Sequence, residues 1–84
     1  MRLVFTDDGW TDCQHWQDKD RQLVKRLNRL LAEVLRDPDE GIGKPERLRH
    51  LLSGARSRRI NDEHRLVYLV EGGDVIVLSA RYHY

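Results

Sequence analysis

A single cysteine, Cys13, is all the thiol this chain of 84 residues has, so no disulfide can form within it. Its neighbours Asp12 and Gln14 give no reason to expect a nucleophile, and the residue reads as a small core side chain. Long apolar runs are missing too: Met1-Arg2-Leu3-Val4-Phe5 passes straight into Thr6-Asp7-Asp8, and no later stretch is long enough for a signal peptide or a membrane helix. A cytosolic protein with no membrane partner is expected. His15, His50, His64 and Cys13 form no metal-ligand spacing, no Ser-His-Asp arrangement can be inferred, and the glycines Gly41 and Gly43 lack the full phosphate-loop spacing. No metal or cofactor is therefore expected. The chain contains no repeat and no low-complexity tract. Its length predicts one domain spanning residues 1–84, whose small core leaves room for partners or self-association to add stability.

What the sequence does have is an uneven distribution of charge. The net charge is only +1, yet Lys44 to Arg65 carries seven Lys or Arg against Glu46, Asp62 and Glu63, while the first forty residues carry nine acids. A basic surface formed late in the chain suits a polyanion, although a merely solvated arginine face gives the same count.

Periodicity sets the elements. Arg2 to Phe5 reads as a short strand, and Thr6-Asp7-Asp8 offers oxygens that cap a helix start. Trp10, Cys13 and Trp16 follow at steps of three, which places both indoles and the thiol along one side of a short helix, packed on the core rather than serving as a base-stacking platform. Leu23, Val24, Leu27, Leu30, Leu31, Val34 and Leu35 keep to steps of three and four, leaving Lys25, Arg26, Arg29 and Arg36 largely outside. This predicts a long amphipathic helix begun at Asp18 or Asp20 and stopped at Asp37-Pro38, since the residue before proline is pushed out of helical space. A glycine loop follows from Asp39 to Pro45. Three β-rich segments, Ala55 to Asn61, His64 to Val70 and Val75 to Tyr82, close the chain across two turns, implying consecutive hairpins. The expectation is an α+β fold of order β-α-α-β-β-β, a mostly antiparallel sheet with two helices packed on one face.

Several residues could carry chemistry. Arg59, Arg65, Arg81 and His83 interrupt the apolar strands at odd positions, so matched registers would gather guanidinium and imidazole groups at the strand ends; the plainer alternative is edge arginines paired with Asp62 and Glu63. Glu46, in Lys44-Pro45-Glu46-Arg47-Leu48-Arg49-His50, is a carboxylate among cations that can accept a proton or simply form a surface ion pair. His83, between Tyr82 and Tyr84, can deliver a proton near neutral pH or merely fray.

Taken together, Gly43-Lys44-Pro45-Glu46, Leu52-Ser53-Gly54, Ser57-Arg58-Arg59-Ile60, Glu63-His64-Arg65-Leu66-Val67-Tyr68 and terminal Ala80-Arg81-Tyr82-His83-Tyr84 resemble the YoeB branch of the RelE-like toxins, over the whole chain. The resemblance implies a ribosome-dependent mRNA endoribonuclease that cuts in the decoding site of the small subunit. It also implies a homodimer held silent by a cognate antitoxin of YefM type, whose acidic segment folds on the toxin. It implies roles as well. Glu46 would be the general base at the ribose 2′-hydroxyl, His83 the general acid at the departing 5′-oxygen, and Arg65 the stabiliser of phosphorane charge. Tyr84 would stack on a base or complete the site through its hydroxyl or terminal carboxylate, with Lys44, Arg49 and Arg59 supporting RNA binding. The products would be a 2′,3′-cyclic phosphate and a 5′-hydroxyl. Arg49 stands where lysine is frequent, and Ala55-Arg56 replaces a more aromatic pair. Rival readings are a non-catalytic nucleic-acid binder, an operon-regulating partner of an antitoxin, and a ribonuclease active on naked RNA.

Overall fold

The computed structural model describes residues 1–48 and 54–82. Two helices and five strands follow in the order β1 (Leu3–Phe5), α1 (Asp7–Lys19), α2 (Arg21–Arg36), β2 (Glu46–Arg47), β3 (Ala55–Arg59), β4 (Arg65–Glu71) and β5 (Asp74–Ser79). The expected α+β sandwich is what forms, with one short strand more than periodicity indicated. The strands lie in one sheet ordered β1-β5-β4-β3-β2, antiparallel throughout except for the parallel pairing of β1 with β5.

The helices begin and end where side-chain oxygens can replace lost backbone partners. Thr6 Oγ1 accepts the Gly9 N–H at 3.0 Å at the start of α1. Asp20 ends α1, donating its N–H to the Trp16 carbonyl, and caps α2 by accepting the Leu23 N–H at 3.0 Å. Asp37 closes α2 in front of Pro38. The buried face of α2, Leu23, Leu27, Leu30, Leu31 and Val34, meets Leu66, Tyr68, Val75 and Val77 of the sheet. Gly9 lets α1 lie close on β5, because a Cβ there would strike the Val77 carbonyl. Cys13 and Trp16 are buried as expected, but Trp10 is 47% exposed, its ring edge-on to Phe5 at the margin of the core. Steps of three place Trp10 on the stripe of Cys13 and Trp16, but its ring lies against Phe5 of the edge strand β1 and stays largely open to solvent. Among the described residues no helix is long and apolar enough to cross a membrane.

The strand registers leave the second sheet face to β4 residues of the opposite parity. Ala55, Val67 and Leu69 are buried there without joining the helix-side core, and Ser57 is fully buried between Glu46 and Val67 in the ladder. This helix-free face carries the candidate site.

Candidate active site

The cross-strand ladder brings together residues far apart in sequence. Glu46 is opposite Ser57 on β2–β3, and Arg59 is opposite Arg65 on β3–β4. Cross-strand partners point to the same face. Arg65 Nη1 donates to Ser57 Oγ at 2.8 Å and lies 3.4 Å from Glu46 Oε2. Of the two charged groups, Arg65 is the more enclosed, 19% exposed at its side chain against 61% for Glu46. A guanidinium held from below by a buried serine and flanked by an open carboxylate is thus presented toward solvent. Arg59 beside it is exposed, and Lys44, exposed with a φ of 50°, leads through Pro45 into Glu46.

Three of the predicted site residues therefore converge on one face: Glu46, Arg59 and Arg65. Lys44 precedes them on the edge. Arg49, His83 and Tyr84 lie outside the described residues. Arg81 does not join the group, because β5 stops at Ser79 and the Arg81 guanidinium lies 6.0 Å from the Trp16 ring and 5.3 Å from that of Tyr82. Among the described residues Arg65 is paired with Glu46 rather than with Asp62 or Glu63, and the Glu63 carboxylate instead lies 3.3 Å from His64 Nε2.

Sequence reasoning missed the residues that hold this face in place. Arg58, fully buried and of opposite parity to Arg59, points to the helix side, where its Nε donates to Tyr68 Oη at 3.1 Å and its Nη2 to the carbonyls of Asp37 and Glu40. Tyr68 Oη passes the chain on to the Pro38 carbonyl at 2.7 Å. The loop that delivers Glu46 is thereby tied to the strand that carries Ser57 and Arg59. Burial pushes the Tyr68 phenol up from its usual range, opposed by the hydrogen bond and charge of Arg58. Arg47 and Arg56 flank Asp39 on the far side of the edge, Arg56 Nε at 2.8 Å from its carboxylate. An apolar hollow of about 230 Å³, lined by Leu3, Phe5, Trp10, Cys13 and neighbours on α2, holds none of the clustered residues and offers no acid, base or cation. Among the described residues no three His, Cys, Asp or Glu side chains are placed to hold a metal ion.

The family model described as YoeB-like toxin of bacterial type II toxin-antitoxin system matches residues 5–84. The chain belongs to the YoeB-like toxins. It is 52% identical to a toxin YoeB of Streptomyces coelicolor, with all of both chains aligned. Among solved structures, a YoeB/ParE toxin from Agrobacterium tumefaciens superposes with a TM-score of 0.95 at 42% identity, covering both chains fully. YoeB from Staphylococcus aureus, solved as a dimer, gives 0.91 at 42% identity over the whole of this chain and 98% of that one. A YoeB-YefM complex from S. aureus superposes at a TM-score of 0.88 and 41% identity over equal coverage. In this YoeB-like toxin the helix-free face brings together an exposed carboxylate, an enclosed guanidinium and a second arginine.

Proposed function

We propose that this YoeB-like toxin is an endoribonuclease that cuts translated mRNA in the decoding site of the ribosome, and that the helix-free sheet face is its active site. The observation that carries the reading is the Arg65 guanidinium, anchored at 2.8 Å on Ser57 and 3.4 Å from Glu46. Glu46, open to solvent, takes the proton from the ribose 2′-hydroxyl, and that oxygen attacks the adjacent phosphorus. Negative charge grows on the non-bridging oxygens, where Arg65 donates and Arg59 adds a second cation. The bond from phosphorus to the 5′-oxygen breaks, His83 supplies that oxygen with a proton, and the products are a 2′,3′-cyclic phosphate and a 5′-hydroxyl. Tyr84 orients the flanking base, and Lys44 and Arg49 hold the backbone of the message. Side chains carry both proton transfers, so the step itself draws on no metal held by the toxin. DNA, lacking the 2′-hydroxyl, is not cut.

The same reading gives the toxin a homodimeric state and a YefM-type antitoxin, as the S. aureus relatives have been solved in these forms. An acidic antitoxin segment suits the basic surface from Lys44 to Arg65 and covers the site when it docks.

The experiment is primer-extension mapping of mRNA ends in a reconstituted translation reaction. New 5′ ends within codons are expected with the wild-type protein, absent from untranslated RNA, and reduced by ~10²–10⁴-fold in Glu46→Ala and in His83→Ala, the usual worth of a positioned acid or base. Full cleavage by both variants would refute the assignment of roles. Binding without cleavage by a folded wild-type protein would make this a nucleic-acid-binding module.

A further inference from the structure

The backbone just before the terminal pair is fixed by hydrogen bonds on both sides of single residues. Tyr82 N–H donates to His64 Nδ1 at 2.7 Å, and Tyr82 C=O accepts the Arg65 N–H at 2.9 Å, so two consecutive residues at the start of β4 satisfy both backbone groups of one residue. Two positions earlier, Ala80 is held the same way from α1: its N–H donates to Asp12 Oδ2 at 2.9 Å and its carbonyl accepts from Trp16 Nε1 at 2.8 Å. Yet the Tyr82 side chain is 59% exposed, so the clamp on it does not serve to pack a ring into the core. Tyr82 also adopts a φ of 57°, a left-handed conformation that a non-glycine residue keeps only where its surroundings impose it.

His64 is built for this contact. It is buried, its ring stands edge-on to Trp16 with centroids 4.5 Å apart, and the Asn61 side chain accepts its backbone N–H at 2.8 Å in the turn before β4. Because Nδ1 is the acceptor, the ring proton belongs on Nε2, which faces the Glu63 carboxylate at 3.3 Å. One peptide bond beyond the clamped carbonyl is His83, and the residue that clamps that carbonyl is Arg65.

We infer that His64 is a positioning residue: through Nδ1 it fixes the backbone of Tyr82, and so sets where the chain delivers His83 and Tyr84 relative to Arg65 and Glu46. This role rests on the nuclease reading above. Because only Nδ1 matters, the contrast is between side chains that keep the ring and those that keep the acceptor. His64→Phe keeps the edge contact with Trp16 and removes the acceptor. His64→Asn loses the ring but can place its amide oxygen where Nδ1 lies.

The measurements are cleavage of translated message, resolved into kcat and KM, and hydrogen exchange at the Tyr82 amide in the same three proteins. His64→Phe is expected to lower kcat by about 100-fold, the scale of a small misplacement of a reacting group, with KM unchanged and the Tyr82 amide unprotected. His64→Asn is expected to restore protection and most of kcat. Full kcat in His64→Phe, or restored protection without restored kcat in His64→Asn, would overturn the inference. Should the wild type cut nothing, the nuclease reading fails and exchange alone decides the clamp. Protection lost with Phe and regained with Asn upholds it, and protection equal in all three proteins overturns it. If His64→Phe does not fold, His64→Gln replaces it, since the longer side chain carries its amide toward the Nε2 position and cannot reach Tyr82.

Discussion

Arg58 is the residue on which the local architecture depends most. Its guanidinium is wholly enclosed and serves Tyr68 Oη and the carbonyls of Asp37, Glu40 and Ile42, so removing it takes the donor from one buried and three part-buried acceptors. Leaving a buried hydrogen-bonding group without its partner typically costs about 1–3 kcal/mol. Arg58→Ala is therefore expected to lose stability on that scale in urea unfolding, and Arg58→Lys to recover less than half, because an ammonium cannot reproduce the planar fork. A loss under about 1 kcal/mol in Arg58→Ala would mean that water replaces the guanidinium without penalty. Residues of this kind were hard to see in the sequence. Strand parity does put Arg58 on the face opposite Arg59, but its partners are up to 21 positions away, as those of His64 are 18. Glu46, Arg59 and Arg65 were legible because they stand among cations or interrupt apolar strands. Ser57 was not, because a serine in a strand announces nothing until the ladder sets it under Arg65.

At the scale of the element, the two helices share one residue as a joint. Asp20 receives the end of α1 through its backbone N–H and starts α2 through its carboxylate, its own φ of −153° being extended. Asp20→Ala removes the cap of α2 but leaves the extended hinge, and an N-cap of this type is worth about 1 kcal/mol. A drop of that size in denaturant stability is expected, with Asp20→Asn or Asp20→Ser holding most of it; no change in Asp20→Ala would mean that packing alone sets the start of the helix. Where the chain carried such local signals, its elements were read nearly to the residue: α2 stops at Asp37 in front of Pro38, and its buried stripe is the predicted one. The two-residue strand β2 left no such trace, since two residues have no period. The strand ends shifted for a similar reason, as the Asn61 side chain draws the 60–64 segment into a turn that trims β3 and β4.

The whole molecule carries a pH dependence set by two core groups. Burial pushes the Cys13 thiol up to about 11 from an ordinary 9.0, with Asp12 adding to it, and the Tyr68 phenol also moves up from 10.0. Groups whose proton is held more tightly in the folded state support that state fully below their ordinary values and lose this contribution as pH rises through the raised ones. The melting temperature should therefore be level near neutrality, begin to fall near pH 9 and continue falling through about 11, with Cys13→Ala removing the first part of the slope. A flat profile to pH 11 would contradict the burial of both groups. The general plan, a sheet covered by two helices, followed from the apolar periods, but the parallel union of β1 with β5 did not, because pairing between the two ends of a chain is invisible to any local pattern. That union has a temporal meaning. β5 joins β1 to β4, so the first strand and both helices, made early, can dock on the finished sheet only after residues 74–79 have been synthesised. Folding of this topology waits on its least local contacts. A nascent chain stopped short of Asp74 would carry the two helices and strands β2 to β4 without the strand that joins β1 to them, and would lack the terminal residues proposed to act in the site, so a truncated product of this toxin gene would be harmless to the cell that makes it.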